Sequence, residues 1–178
     1  ELTFMPKEVA YSISHSVALL SVGELLDVEL AASFNESHEK YFDMIYKKTA
    51  SLIEASAKSA ALLAGKASEK YALYGKNLGL AFQIVDDILD ITQSSETLGK
   101  PSLNDFKEGK TTLPYLYMYD KLSAEEKSTL LSLFQKELSA DESLWIKQKM
   151  EETSAIKDAI AYAKKLGFEA LEAIKGED

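Results

Sequence analysis

Asp86-Asp87-Ile88-Leu89-Asp90 places three carboxylates within five residues. A helix turns by ~100° per residue. With Gln83 at 0°, Asp86 falls at about 300°, Asp87 at about 40° and Asp90 at about 340°. The four polar side chains share one arc of about 100°, and Ile84, Val85, Ile88, Leu89 and Ile91 fill the opposite side. Gly79, one turn earlier, leaves space on the carboxylate face. Like charges this close repel one another by a few tenths of a kcal/mol per pair. A hard cation relieves that repulsion, and Mg²⁺ suits it, since it takes oxygen ligands and is commonly shared between carboxylates and phosphates. Calcium of the EF-hand type is excluded, because the spacing is helical and the loop glycine and terminal glutamate are missing. An isolated motif of this kind is also what a solvated acidic face looks like.

Lysines follow at a distance that could matter. Lys100 stands in Leu98-Gly99-Lys100-Pro101, and Lys110 in Asn104-Asp105-Phe106-Lys107-Glu108-Gly109-Lys110-Thr111-Thr112-Leu113-Pro114. A metal-bound diphosphate carries excess negative charge that such cations would balance. Gly109 allows backbone N–H groups to approach an anion, and a following helix N-terminus would add its dipole. Upstream, Lys47-Lys48-Thr49-Ala50 sets two lysines and a hydroxyl in an otherwise apolar stretch. Each feature has an ordinary reading too: polar loops carry lysine and glycine, and surface lysines snorkel.

The elements that must position these residues read as helices throughout. Apolar residues recur at three-to-four spacing in nearly every segment, and only 3 prolines and 8 glycines interrupt the chain. After Pro6, a helix extends to about Ser33. Asn35 or Ser37 caps a second helix running from His38 to about Ala64 and stopping at Gly65. A third covers about Ser68 to Thr92. Ser94 to Lys110 has no helical period and reads as a functional loop. Helices near Thr112–Leu122, Ala124–Leu138 and Asp141–Ile174 follow, the last with Thr153-Ser154 as its point of breakage. No strand alternation, internal repeat or low-complexity tract is visible. The expectation is one all-α, bundle-like domain.

Bulk properties narrow the function. The 178 residues are enough for one core. The net charge of −9 disfavours nucleic acid as a partner. All 20 basic residues are lysines, so any phosphate grip uses point charges and backbone amides rather than the guanidinium fork. Without cysteine there is no disulfide and no thiolate metal site. His15 and His38 form no evident Ser-His-Asp triad, and His15 reads as a packed or surface residue. No uninterrupted apolar run reaches the ~20 residues of a membrane span, and no secretion signal is visible.

Taken in order, Gly23-Glu24-x-x-Asp27, Lys48-Thr49-Ala50-x-Leu52, Gly79-x-x-Phe82-Gln83-x-x-Asp86-Asp87-x-x-Asp90, Gly99-Lys100-Pro101 and Asp105-x-x-x-Gly109-Lys110-x-Thr112-Leu113-Pro114 resemble the trans-prenyl diphosphate synthases, or polyprenyl synthetases. The likeness is to the carboxy-terminal half of that family. It is strongest from Tyr41 to Tyr117, and bacterial octaprenyl-type synthases look nearest.

The resemblance implies an isoprenoid-synthase-type helical bundle. It assigns Asp86, Asp87 and Asp90 to Mg²⁺, and Lys48, Lys100 and Lys110 to the allylic diphosphate. Thr49 and Gln83 would stabilise an allylic carbocation, with Lys48 beside them in catalysis and Gln83 also contacting substrate. Asp27 matches a cavity acid, and Glu24 stands where relatives often carry glutamine. The implied reaction joins an allylic diphosphate to isopentenyl diphosphate to build a polyprenyl diphosphate. A cytoplasmic homodimer, touching membrane transiently through its apolar product, is implied by the same likeness.

The family's first aspartate-rich motif and its arginine pair are not in this chain. The expectation is therefore that residues 1–178 form the carboxy-terminal part of one prenyltransferase domain. They would supply the allylic half of the site and, on their own, would be inactive in elongation. A class I terpene-type synthase and a non-catalytic partner subunit of a prenyl synthase are the alternatives. Isopentenyl diphosphate dependence separates the first, and an Asp86 variant with unchanged activity would favour the second.

Overall fold

The computed structural model describes residues 5–92 and 103–177, and no strand occurs among them. The first helix, α1, is Lys7–Leu30. The second periodic segment is divided into α2 (His38–Ile45), a π-helical turn (Tyr46–Ala50) and α3 (Ser51–Leu63). Next come α4 (Ser68–Thr92), the short α5 (Asn104–Lys107) and α6 (Leu113–Lys121). Three more follow: α7 (Ala124–Leu133), α8 (Ala140–Glu152) and α9 (Ala155–Ala173).

Local chemistry explains most of the boundaries. Gly65, at φ +67°, ends α3 in the left-handed conformation that glycine adopts at no steric cost. Ser123 and Ser139 each accept from the N–H three residues on, and Glu126 and Glu142 reach back to close capping boxes. The last predicted helix does break at Thr153-Ser154, with Ser154 at φ 57°. The helix predicted to reach Leu138 stops at Leu133 instead. Gln135 adopts φ 59° there, and its amide donates to the Ala31 carbonyl at 2.8 Å.

Two compact units emerge. The first contains the chain up to Leu26, Phe42–Gln83 and the chain from Ala163; the second contains Asp27–Tyr41 and Ile84–Tyr162. In the second, Leu103, Phe106, Tyr115, Met118, Leu130, Ile146 and Met150 form a closed apolar core, with Phe106 stacked on Tyr115 at 4.7 Å. In the first, close helix approach depends on glycine. A Cβ at Gly23 would lie 2.3 Å from the backbone nitrogen of Lys48, and one at Gly79 would lie 2.6 Å from Cα of Ala50.

One helix is more apolar on average than its longest uninterrupted apolar run suggests. By length and mean hydropathy, α1 is sufficient to cross a membrane, although only 17% of its most apolar window is buried. A search for uninterrupted apolar runs overlooks it because serines punctuate the helix. The hydroxyls of Ser14, Ser16 and Ser21 donate to carbonyls one turn back and so satisfy themselves within the helix.

Candidate active site

The π-helical turn carries Lys47, Lys48 and Thr49. Simple helical periodicity cannot reveal such a turn, since one inserted residue shifts the register without changing the apolar composition. The Ser51 N–H donates to the Tyr46 carbonyl, five residues back, and the Ser51 hydroxyl donates to the Lys47 carbonyl at 2.9 Å. Such bulges are frequent at functional positions. Within the first unit, Thr49 Oγ1 donates to Gln83 Oε1 at 2.9 Å across 34 residues of sequence. Lys48 Nζ lies 3.3 Å from Glu24 Oε2. Glu24 thus makes a partly exposed ion pair, an interaction contributing at most about 1 kcal/mol.

In the second unit the acidic helix divides its carboxylates among different surroundings. Asp86 is exposed. Asp87 is buried at 4% exposure and accepts from the Tyr41 hydroxyl at 2.5 Å. Asp90 accepts the backbone N–H groups of Asn104 and Asp105, each at 3.2 Å, and its own carbonyl accepts from Leu103 N–H at 3.0 Å. It therefore caps the first turn of α5 and fixes where the chain re-enters the core. Lys110 Nζ is 2.9 Å from Asp105 and 2.8 Å from Glu108. Burial by itself would lower the lysine pKa, but the hydrogen bonds to Glu108 and Asp105 outweigh it and hold the ammonium charged.

The loop that presents Lys110 is built tightly. Gly109 has φ +89°, and a Cβ there would meet Gln135 Nε2 at 2.6 Å and the Ala31 carbonyl at 2.8 Å. Thr111 Oγ1 accepts from Asn35 N–H at 3.1 Å. Asn35 also accepts from Ser37 N–H, and Ser37 Oγ from Lys40 N–H, so the expected cap of α2 is present as a pair.

Burial and the charge of Asp105 raise the Asp90 pKa to about 6 from 3.8, against the lowering influence of the two capping amides and Lys110. The folded-state value exceeds the unfolded one, so the native state binds the extra proton. That contribution to stability is present below about pH 4 and is lost as the pH rises through about 6. Asp90→Asn is expected to gain thermal stability relative to wild type at pH 8 compared with pH 4.5, without divalent cations. A difference in melting temperature that is the same at both pH values would contradict this.

The donor set is hard and all-oxygen, which suits Mg²⁺. Among the described residues, no three His, Asp or Glu side chains converge as a cation cage. The fully buried Tyr115 hydroxyl has no hydrogen-bond partner among the described residues, and the charges of Asp90 and Asp105 act on it.

The sequence-predicted residues thus fall into local groups: Thr49 with Gln83, Lys48 with Glu24, and Asp90 with Asp105 and Lys110. Asp27 is half-buried in the second unit, and Lys100 lies outside the described residues. Tyr41 was missed because its hydroxyl gives no signal beyond one more apolar helix position. Asp105 was read only as part of a motif. A groove of about 570 Å³ in the first unit, lined by residues including Tyr11, His15, Tyr46 and Glu54, contains none of the predicted site residues. There His15 is exposed and stacks on Tyr11.

Comparison with known proteins adds a separate line. Residues 3–153 match the family model described as polyprenyl synthetase. A short chain isoprenyl diphosphate synthase of Methanothermobacter thermautotrophicus is 37% identical over 132 residues, covering 72% of this chain and 41% of that protein. Solanesyl diphosphate synthase 3 of Arabidopsis thaliana is 41% identical over 117 residues, covering 64% and 28%. The crystal structure of octaprenyl pyrophosphate synthase from Helicobacter pylori is similar with a TM-score of 0.93 at 45% identity, covering 99% of this chain and 58% of that one. The chain thus spans less than two thirds of the length of each of these relatives.

Proposed function

We propose a function from one premise: the chain belongs to the polyprenyl synthetase family. It is a trans-prenyl diphosphate synthase homologue, and its all-α fold is that of the isoprenoid synthases, as the sequence motifs implied. In our reading it supplies the allylic-diphosphate half of a Mg²⁺-dependent prenyl-transfer site. The arginines that would hold isopentenyl diphosphate are not among its residues.

The observation that carries this reading is the group Asp90, Asp105 and Lys110, joined by direct contacts at the end of an Asp-Asp-x-x-Asp helix. Asp86, Asp87 and Asp90 would hold Mg²⁺, with Asp105 adding a further oxygen donor nearby. When bound, Mg²⁺ stabilises the charge that develops on a departing diphosphate. Lys48, Lys100 and Lys110 would pair with phosphate oxygens. Thr49 and Gln83, locked to each other, would turn oxygen dipoles toward the positive charge on the allylic carbon. In the reaction the allylic carbon–oxygen bond breaks and a carbon–carbon bond to isopentenyl diphosphate forms. A proton then leaves to restore a double bond, and diphosphate is released.

The test is product formation by the full-length protein from an allylic diphosphate and labelled isopentenyl diphosphate, with Mg²⁺ and with chelator. No product with both substrates and Mg²⁺ present would end the proposal, and product formed without isopentenyl diphosphate would indicate a terpene-type synthase. Lys110→Ala removes a charge-assisted contact to phosphate, of about 1.5–3 kcal/mol. It is expected to raise KM for the allylic substrate about tenfold or more, read from steady-state kinetics.

A further inference from the structure

The buried Tyr41 hydroxyl contacts the acidic helix directly, and nothing in the reaction scheme above uses it. Its ring is 1% exposed, and its hydroxyl donates to Asp87 Oδ2 at 2.5 Å across 46 residues of sequence. The same oxygen accepts the backbone N–H of Leu113. That amide belongs to the first turn of α6, whose N-cap, Thr112, makes no side-chain cap bond and whose next residue is Pro114. Leu113 is itself fully buried, so without Tyr41 its N–H would lose this partner. The phenol therefore joins the acidic helix to the start of the helix that follows Lys110.

Tyr41 is also firmly placed. It sits in the first turn of α2, where the caps from Asn35 and Ser37 order the backbone. Ile45, one turn on, is 2% exposed. The phenolic oxygen lies on the ring axis, so it cannot move away from the carboxylate while the ring stays packed. Asp87 is consequently oriented by a rigid donor and not by solvent.

We propose that Tyr41 is a positioning residue that orients the Asp87 carboxylate, and through it the cation, for diphosphate binding. The inference rests on the reading of the acidic helix given above and extends it to a residue that touches neither metal nor substrate. Partners that orient a ligating group typically change metal affinity 10–100-fold when removed.

The experiment uses the full-length protein and Mn²⁺ as a paramagnetic stand-in for Mg²⁺, titrated in the presence of inorganic diphosphate and followed by electron paramagnetic resonance. Tyr41→Phe keeps the ring and removes only the hydroxyl. It is expected to weaken Mn²⁺ binding about tenfold or more, and in an Asp87→Asn background to weaken it no further. Unchanged affinity in Tyr41→Phe, or full additivity with Asp87→Asn, would overturn the proposal. Wild-type affinity in Asp87→Asn alone would instead overturn the underlying reading of Asp87, and the proposal with it. Should Tyr41→Phe fail to fold, 3-fluorotyrosine installed at position 41 keeps the hydroxyl. Its ¹⁹F resonance is expected to shift when Mg²⁺ and diphosphate are added together, and a resonance that stays in place would also overturn the proposal.

Discussion

Asp86→Ala in the full-length protein is expected to lower prenyl transfer about 10²–10³-fold, the usual effect of removing one group that stabilises developing charge. The melting temperature should stay within a few degrees of wild type. This separation of activity from stability follows from how the three carboxylates are used. Asp87 is tied to Tyr41 within the core, and Asp90 caps α5, so substitution at either disturbs the fold as well as the site. Asp86 is exposed, and its side chain makes no hydrogen bond among the described residues. Removing its charge also relieves repulsion along the helix, a small stabilising change. A Mg²⁺ titration of the activity should show a raised half-saturation point. An Asp86→Ala enzyme that retains more than half of wild-type turnover would remove the acidic helix from the chemistry and favour a merely structural or partner-subunit role.

Gly23→Ala is expected to have the largest effect on stability of any glycine-to-alanine change among the described residues. The new Cβ would sit 2.3 Å from Lys48 N, 2.6 Å from Lys48 Cα and 2.8 Å from the carbonyl carbon of Lys47. All three are backbone atoms, so no side-chain rotation can relieve the clash, and the π-helical turn itself must move. Overpacking of this kind costs about 1–3 kcal/mol or more. At about 2–4 °C per kcal/mol for a chain of this size, that is a fall of roughly 2–12 °C in Tm. The displaced segment carries Lys48 and Thr49, so turnover should drop further than the loss of stability explains. Gly167→Ala is the internal control. It lies within α9 with nothing within 4 Å of its added Cβ, and there alanine should stabilise the helix by up to about 1 kcal/mol. Thermal melts of the two variants should therefore move in opposite directions, and a Gly23→Ala melt equal to wild type would refute the close-approach account.

What sequence alone determined is everything that depends on local repetition and order. Three-to-four spacing established the helices, glycine and serine marked their ends, and the 3.6-residue period placed Gln83 and the three aspartates on one arc. The order of the short motifs indicated the family and the all-α fold. Tertiary structure decided what those residues touch. Thr49 and Gln83 are 34 residues apart, and Tyr41 and Asp87 are 46 apart, so no local period can couple them. The division of a single periodic segment at Tyr46–Ala50, the close approach at Gly23 and Gly79, and the use of Asp90 as a cap likewise belong to packing. The physical reason is the reach of each signal. Side-chain periodicity reports which face of a helix avoids water, but a hydrogen bond between helices depends on where distant backbones come to rest. The acidic motif was legible as three equal carboxylates, and only the fold made them unequal: one exposed, one held by a phenol, one spent on two backbone amides.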